Sequence, residues 1–289
     1  MKTTDLRIAN FAGALVEDET GLATDMAPRP YVHPIFSTNG TLLTDLTPAD
    51  HIHHLGLSLP IADIDGVHYW GGKTFVLGQD YVDLDNHGSQ TTQNLKVERG
   101  DTWAEEHRSL LWQRGDGSEH LHEQRTLRTE IVARADAEPD TDGSVEGVLT
   151  VSWRSNLTAP QGAVIGSPAT NGRPGAGYGG IFWRFPQWEA EVFVADGAGE
   201  DTAHGAVSPW LCVSAPAQNV SALLSQHGPQ LFPWFARVEE YLGVCPALAW
   251  DTPLTLSPGE TLEIGLDAVV LENPVRTTAE AAALWEAYR

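Results

Sequence analysis

Apolar and polar residues alternate along most of the chain, which is typical of strands that bury one face and expose the other. The clearest case is Thr261–Leu271, where every second residue from Leu262 to Val270 is apolar. A turn sequence, Ser257-Pro258-Gly259-Glu260, separates it from a short strand at Leu254–Leu256. Proline and glycine stand where a type II turn prefers them, so the sequence predicts a closing hairpin.

Other segments have the same strand-like pattern, and short turns rich in glycine and proline separate them. The predicted strands are Leu121–Ala133, Val148–Trp153, Gly180–Phe185, Glu189–Ala195, Trp210–Ser214 and Val220–Leu224. The gaps Ala135–Gly147 and Pro160–Gly180 are predicted loops. Many short strands with such turns predict an all-β fold, a large antiparallel β-sandwich.

Only one segment predicts a helix. Thr277 and Glu280 have the spacing of a capping box, and apolar residues then repeat at helical spacing. We therefore expect a C-terminal helix over residues 278–288 that packs on the sandwich. Because the strands on both sides of each long gap share one pattern, we expect a single domain over residues 1–289.

Composition and charge limit the partners. The 289 residues include 17 Lys and Arg against 39 Asp and Glu, a net charge of −22. The negative electrostatic field of such a charge repels polyanions and anionic membranes. We therefore expect neither nucleic acid nor a membrane as a partner. The N-terminus lacks a secretory apolar region and no apolar run is long enough to span a bilayer, which predicts a cytoplasmic protein. A homo-oligomer is compatible with the sequence.

Several cofactor and catalytic patterns are missing. The two cysteines are too few for a disulfide framework or a cysteine-based zinc site. No glycine-rich phosphate loop and no Gly-x-Ser-x-Gly elbow is present. We therefore expect no nucleotide cofactor and no serine hydrolase chemistry.

Histidine is concentrated in one short segment, where His51, His53 and His54 follow Asp50. If the segment is extended, His51 and His53 share a face; if it is a helical turn, His51 and His54 align instead. Either geometry supplies two imidazoles and a carboxylate for acid–base chemistry or for part of a divalent metal site. The alternative is a set of hydrogen-bonded histidines that only stabilise a loop.

Two further charged residues are candidates for the same chemistry. Glu123 lies on a predicted strand two residues from Arg125, and it is either a partner carboxylate for the histidines or half of an exposed ion pair. Arg184 lies in an apolar segment, where an unpaired charge is very costly. We expect it to form a salt bridge or to bind an anion or sugar hydroxyls.

The ten tryptophans are either core residues or platforms on which a sugar ring stacks. A site that combines indoles with polar groups suits a neutral sugar, which the acidic chain does not repel. His87 closes a polar cluster that favours a hairpin loop over a calcium loop. The candidate substrate-binding residues are His33, Asp50, Trp70, His87, Trp210 and His227.

Taken together, these segments resemble the bacterial family known as "methane oxygenase PmoA-like", from about Arg29 to Leu271. The residues that carry the resemblance are Arg29–Pro34, Asp50–Leu57, Gly66–Trp70, Glu123–Arg125, Tyr178–Gly180, Arg184, Ser208–Trp210 and the hairpin Leu254–Leu271. The family commonly has arginine after the paired histidines, whereas this chain has Leu55. That departure implies a different substrate if the arginine contacts substrate.

The resemblance implies a sandwich similar to the sugar-binding supersandwiches of the galactose mutarotase type. Genes of the family usually lie beside sugar oxidoreductases. We therefore expect an enzyme that acts on a sugar, glycoside or keto-sugar by elimination, hydrolysis or epimerisation. His51, His53 and His54 would be the acid, base or metal ligands, with Glu123 as their carboxylate and Arg184 on the developing oxyanion. The alternatives are a non-catalytic carbohydrate-binding protein and, less favoured, a non-haem metal oxygenase.

Overall fold

The computed structural model describes residues 2–8, 12–135 and 147–289. These residues form 21 strands, which in chain order are β1 (Thr3–Arg7), β2 (Gly13–Glu17), β3 (Tyr31–Phe36), β4 (Leu57–Ser58), β5 (Asp63–Ile64), β6 (Thr74–Val76), β7 (Asp80–Val82), β8 (Ser89–Arg99), β9 (Trp103–Gln113), β10 (Glu119–Ala133), β11 (Gly147–Thr158), β12 (Ala163–Gly166), β13 (Phe182–Arg184), β14 (Glu191–Val194), β15 (Gly197–Ala198), β16 (Trp210–Ala215), β17 (Val220–His227), β18 (Trp234–Arg237), β19 (Gly243–Pro246), β20 (Leu254–Leu256) and β21 (Thr261–Leu271). The helices are α1 (Glu200–Ala203) and α2 (Thr278–Tyr288).

Two large sheets carry most of these strands, and the pairings between named strands are antiparallel. The first sheet has the strand order β15-β14-β16-β17-β21-β11-β10-β9-β8, and the second has the order β1-β2-β3-β4-β13-β19-β18. Smaller sheets are formed by β20, β12 and β5 and by β6 and β7.

The two large sheets pack face to face. Alternate residues of the nine-stranded sheet, such as Leu127 and Trp153, join Val32 and Val244 of the seven-stranded sheet in one hydrophobic core. Strand β1 lies against β9 and β10. The burial of alternate side chains follows from the period-two pattern, because successive side chains of a strand point to opposite faces. The prediction of a large antiparallel β-sandwich is confirmed.

The predicted closing hairpin is wrong, although both of its strands have the predicted bounds. Strand β20 pairs with β12, whereas β21 pairs with β11 and β17 in the nine-stranded sheet. The turn between them is held by backbone bonds from Gly259 N to Ala159 O and from Glu260 N to Ser257 O. The chain therefore crosses from one sheet to another at this turn.

The predicted C-terminal helix is confirmed as α2. The Thr277 hydroxyl accepts a hydrogen bond from Glu280 N, 3.2 Å away, as a capping residue does. The helix covers a hydrophobic cluster that includes Trp210 and Cys212 of β16.

The two predicted loops have different outcomes. The loop predicted at Ala135–Gly147 falls largely on residues 136–146, which lie outside the described residues. The loop predicted at Pro160–Gly180 contains strand β12, which pairs with β5 and β20. Its apolar Val164 and Ile165 extend the chain despite the surrounding glycines.

Candidate functional site

The Asp50–His54 segment forms a tight turn between β3 and β4. Backbone hydrogen bonds from His51 N to Pro48 O (3.0 Å) and from His54 N to His51 O (2.9 Å) close it. The rings of His51 and His54 therefore stack, with centroids 4.6 Å apart and planes 16° apart. Of the two geometries that the sequence left open, the helical turn is the one adopted.

Asp50 links His51 to Arg184. Its Oδ2 accepts a hydrogen bond from His51 Nδ1 at 2.8 Å and one from Arg184 Nη2 at 3.1 Å. Partial burial opposes the charge of Asp50, but the bond from His51 and the charge of Arg184 outweigh it and lower the pKa of the carboxyl. An ionised carboxylate on Nδ1–H holds the tautomer in which His51 Nε2 is free to accept a proton. The pair is half-exposed, so solvent and small molecules can reach it.

His54 lies directly beneath His51 and is only 2 % exposed. Its ring makes edge contacts with Trp70, Phe182 and Tyr241, and its Nδ1 has no hydrogen-bond partner. Burial, with the neighbouring imidazoles and guanidinium groups, holds the pKa of His54 well below its ordinary value. The imidazole is therefore neutral at neutral pH.

His53 packs on the backbone of two consecutive glycines. A Cβ at Gly72 would lie 2.7 Å from His53 Nδ1, and one at Gly71 would lie 3.0 Å from His53 Cβ. Burial, followed by the charge of Arg29, lowers the pKa of His53 to about 3. Like His54, it is a neutral imidazole at neutral pH.

Arg29 links the histidine turn to two neighbouring segments of the chain by donating hydrogen bonds to their backbone carbonyl groups. Its Nη2 donates to His53 O at 3.0 Å, and its Nη1 donates to Trp70 O at 3.1 Å and to Met26 O at 2.9 Å. The side chain is 1 % exposed, and Arg29 forms no ion pair with any of the described residues. Burial lowers the pKa of Arg29 to about 9. Arg29 was not among the predicted site residues, although the apolar residues of the adjacent strand β3 indicate burial.

Arg184 is also buried, at 1 % exposure, and its guanidinium lies 4.6 Å above the ring of Tyr241. Asp50 is its one hydrogen-bonding partner among the described side chains, and its Nε and Nη1 have none. Of the alternatives predicted for this arginine, the structure contains the salt bridge, and binding of an anion or of sugar hydroxyls stays a prediction. Two of its three nitrogens remain without an acceptor.

An aromatic cluster lies under the histidine turn. Trp70 is 4.6 Å from Tyr178 and 5.0 Å from Phe182, measured between ring centroids, and Phe235 and Tyr241 extend the cluster. Trp70, a predicted substrate-binding residue, makes an edge contact with His54 but is buried among other aromatic rings. Its indole is therefore not exposed for a sugar ring to stack on.

His87 and His33 flank the turn without joining the Asp50–His51 pair. His87 Nε2 lies 2.7 Å from Gly72 O, so it supports the glycine pair on which His53 rests. His33 Nδ1 lies 2.9 Å from the hydroxyl of Thr44, on the side of the chain near Gly56. His87 therefore supports backbone next to the site, whereas His33 pairs with a side-chain hydroxyl.

Glu123 is not the partner carboxylate of the histidines. It is fully buried between the sheets, where its oxygens accept from Arg125 Nε at 2.7 Å and from Trp112 Nε1 at 2.8 Å. Ser155 donates to it as well. Because the odd-numbered residues of β10 face the core, Glu123 and Arg125 form an internal ion pair. The carboxylate that contacts the histidine turn is that of Asp50.

Trp210 and His227 also lie elsewhere. Trp210 is buried in the cluster under α2, because its alternating position on β16 faces the helix. His227 is exposed at the end of β17, 3.3 Å from Glu263. Neither contacts the histidine turn.

The three histidines do not converge as ligands of one metal ion. In residues 2–8, 12–135 and 147–289, the grouping of three ligating side chains with atoms within 4.8 Å of one another is Glu98, Glu105 and His107, on the outer face of the nine-stranded sheet. Metal binding by His51, His53 and His54 stays a prediction. No helix in the described parts of the chain is long and apolar enough to cross a membrane.

The chain belongs to DUF6807, a family of unknown function, whose sequence profile matches residues 6–286. A search of curated proteins finds no significant match. Among solved structures, a galactose 1-epimerase from Lactobacillus acidophilus NCFM matches at 11% identity and a TM-score of 0.40, covering 91% of this chain and 93% of that one. A putative aldose 1-epimerase from Escherichia coli K12 matches at 11% identity and a TM-score of 0.33, covering 93% and 99%. The resemblance to the PmoA-like family stays a prediction.

Proposed function

We propose that this protein is a carbohydrate-active enzyme that uses His51 as its proton-transferring group. The observation that carries the proposal is the chain of contacts from His51 through Asp50 to Arg184. A carboxylate on one imidazole nitrogen leaves the other nitrogen free to accept a proton, and the guanidinium lies close enough to stabilise negative charge.

The geometry suits removal of a proton next to a carbonyl group, as in a keto-sugar. His51 Nε2 would take the proton from carbon, and the electron pair of the broken C–H bond would form an enolate. Arg184, whose guanidinium is hydrogen-bonded to Asp50, would stabilise the developing charge of the enolate electrostatically. Delivery of a proton from solvent to the opposite face of the enolate, with His51 later releasing its proton to solvent, gives epimerisation. Expulsion of a neighbouring oxygen substituent, which leaves with the proton that His51 took, gives elimination.

Two further features support the proposal. The aromatic cluster of Trp70, Phe182 and Tyr241 excludes water beneath the polar groups, which strengthens their electrostatic interactions. The resemblance to the PmoA-like family, whose genes usually lie beside sugar oxidoreductases, favours an oxidised sugar. The nitrogens of His51, His53 and His54 do not converge on one point where a metal ion could bind. The structure therefore adds no support to the oxygenase hypothesis or to a metal-assisted reaction.

The test is turnover of a panel of neutral and acidic sugars, glycosides and keto-sugars, followed by proton NMR. We expect the parent to convert at least one keto-sugar and His51→Gln to lose about 100-fold or more in rate, the usual contribution of a general base. His122→Gln is the matched control, since His122 also pairs with a neighbouring carboxylate, that of Glu119, but lies exposed on β10. It should keep the parent's rate.

A parent that binds a sugar without converting any member of the panel would favour the carbohydrate-binding alternative. Equal rates for the parent and His51→Gln would reject His51 as the proton-transferring group.

A further inference from the structure

We propose that the substrate carries a carboxylate group, as a sugar acid does, and that Arg184 and His54 bind it. The proposal rests on the proposed function, because it assigns the substrate class of the same site. It departs from the neutral sugar that the net charge suggested.

The first observation is a set of buried nitrogens that have no partner. Arg184 Nε and Nη1 and His54 Nδ1 are all enclosed and make no hydrogen bond. Both side chains contact the ring of Tyr241, with His54 5.3 Å and the Arg184 guanidinium 4.6 Å from its centroid. A buried donor without an acceptor costs about 1–3 kcal/mol, and more when it is charged. Since arginine nitrogens are donors only, the missing partner is an acceptor.

The second observation is the local charge, which is opposite to that of the whole chain. The site contains the guanidinium groups of Arg29 and Arg184 but only one contacting carboxylate, that of Asp50. Two positive groups against one negative group leave one excess positive charge in a largely buried place.

A single excess charge matches a monoanion. A carboxylate carries one negative charge at neutral pH, whereas a phosphate ester carries about −1.5 to −2 and would leave buried negative charge uncompensated. Among the described residues, Asp50 is the carboxylate that forms an ion pair with these guanidinium groups. The net charge of −22 belongs to the whole chain and does not by itself decide what binds here.

The position of Asp50 gives the carboxylate a route to Arg184. The Asp50 side chain is 45% exposed and covers the otherwise buried guanidinium from the solvent side. Its contacts to Arg184 are long, at 3.1 and 3.4 Å. A substrate carboxylate entering past His51 would share the guanidinium with Asp50 and supply acceptors to the nitrogens that lack them.

Isothermal titration calorimetry of the full-length protein tests the proposal without requiring turnover. The ligands are D-glucuronate, D-galacturonate and D-gluconate, compared with D-glucose, D-galactose and D-glucose 6-phosphate. We expect at least one sugar acid to bind about 10-fold or more tightly than its neutral counterpart and than the phosphate, as one charge-assisted interaction allows. Arg184→Met should remove this preference, and His122→Gln should keep it.

If Arg184→Met does not fold, Arg184→Lys keeps the charge but offers a single nitrogen and should weaken sugar-acid binding specifically. A parent that binds the neutral sugar or the phosphate as tightly as the acid, or that binds none of them, overturns the proposal. Sugar-acid binding without turnover would support this inference and count against the proposed catalytic function. Turnover of a neutral keto-sugar without any preference for acids would support the proposed catalytic function and reject the inference of a substrate carboxylate.

Discussion

The imidazole of His51 lies flat on that of His54, with ring centroids 4.6 Å apart. The outer ring is half-exposed and bonded to Asp50, whereas the inner ring is enclosed by aromatic side chains. Because the inner ring is held neutral by burial, protonation of His51 during a reaction would not meet a second positive imidazole at this distance. In the proposed function, the stack would place the proton-transferring histidine at the surface and a neutral histidine beneath it.

The neutral histidines make the stability of the protein dependent on pH. His53 has a pKa of about 3 in the folded protein, against about 6.5 for an unperturbed histidine. Below pH 6.5 the unfolded chain binds a proton that the folded chain does not, so stability is complete above pH 6.5 and falls as the pH drops towards 3. Urea unfolding at pH 7.5, 6.5 and 5.5 should show this decline.

His53→Gln assigns part of the decline to one residue. It should reduce the proton uptake on unfolding at pH 5.5 by about one. The exposed-site variant His122→Gln should leave the pH dependence as it is in the parent. An unchanged slope in His53→Gln would show that this imidazole is not held neutral by the fold.

Gly72→Ala should displace His53. Gly72 has a φ of +74°, and an added Cβ would lie 2.7 Å from the His53 ring. Gly66→Ala is a matched control, since its φ is +83° but nothing lies within 4 Å of its Cβ. The control should cost about 1 kcal/mol of unfolding free energy from backbone strain, and Gly72→Ala roughly 1–3 kcal/mol more. Equal losses would mean that the ring moves aside freely.

Arg29→Met should destabilise the histidine turn and its support. The change removes the donors to the carbonyl oxygens of His53, Trp70 and Met26, of which that of Trp70 is buried and the other two are part-buried. We expect a loss of at least about 3 kcal/mol in urea unfolding. Arg99→Met, at an exposed arginine, should change stability by about 0.5 kcal/mol or less. Similar small losses in both variants would reject the supporting role of Arg29.

Glu123→Gln distinguishes a structural ion pair from a catalytic carboxylate. Removing the charge leaves Arg125 buried without its partner, at a cost of about 3–5 kcal/mol. The double variant Glu123→Gln/Arg125→Met should lose less than the sum of the single losses. Turnover per folded molecule should stay at the parent's level. Loss of turnover with unchanged stability would show that Glu123 is a catalytic carboxylate and not a structural one.

The sequence predicted the strands well because burial of one face leaves a period-two pattern in the residues themselves. It could not predict which strands pair, as the separation of β20 from β21 demonstrates, since pairing depends on contacts between distant segments. The Asp50–His54 segment was found because its chemistry is concentrated in five residues.

The wrong assignments share one physical cause. Alternation along a strand establishes that Glu123 and Arg125 lie on one face but not whether that face is inside. The same ambiguity placed Trp210 in the site, although it packs under α2. The contact between Arg184 and Asp50 joins residues 134 positions apart, and no local pattern records it.

The most direct test of the account is hydrogen exchange between a keto-sugar and solvent D2O, followed by proton NMR. The parent should replace the hydrogen on the carbon next to the carbonyl with deuterium. His51→Gln should abolish this exchange and Asp50→Asn should slow it about 100-fold, because the first lacks the base and the second lacks the group that orients it. Exchange by His51→Gln at the parent's rate would contradict the claim that His51 transfers the proton.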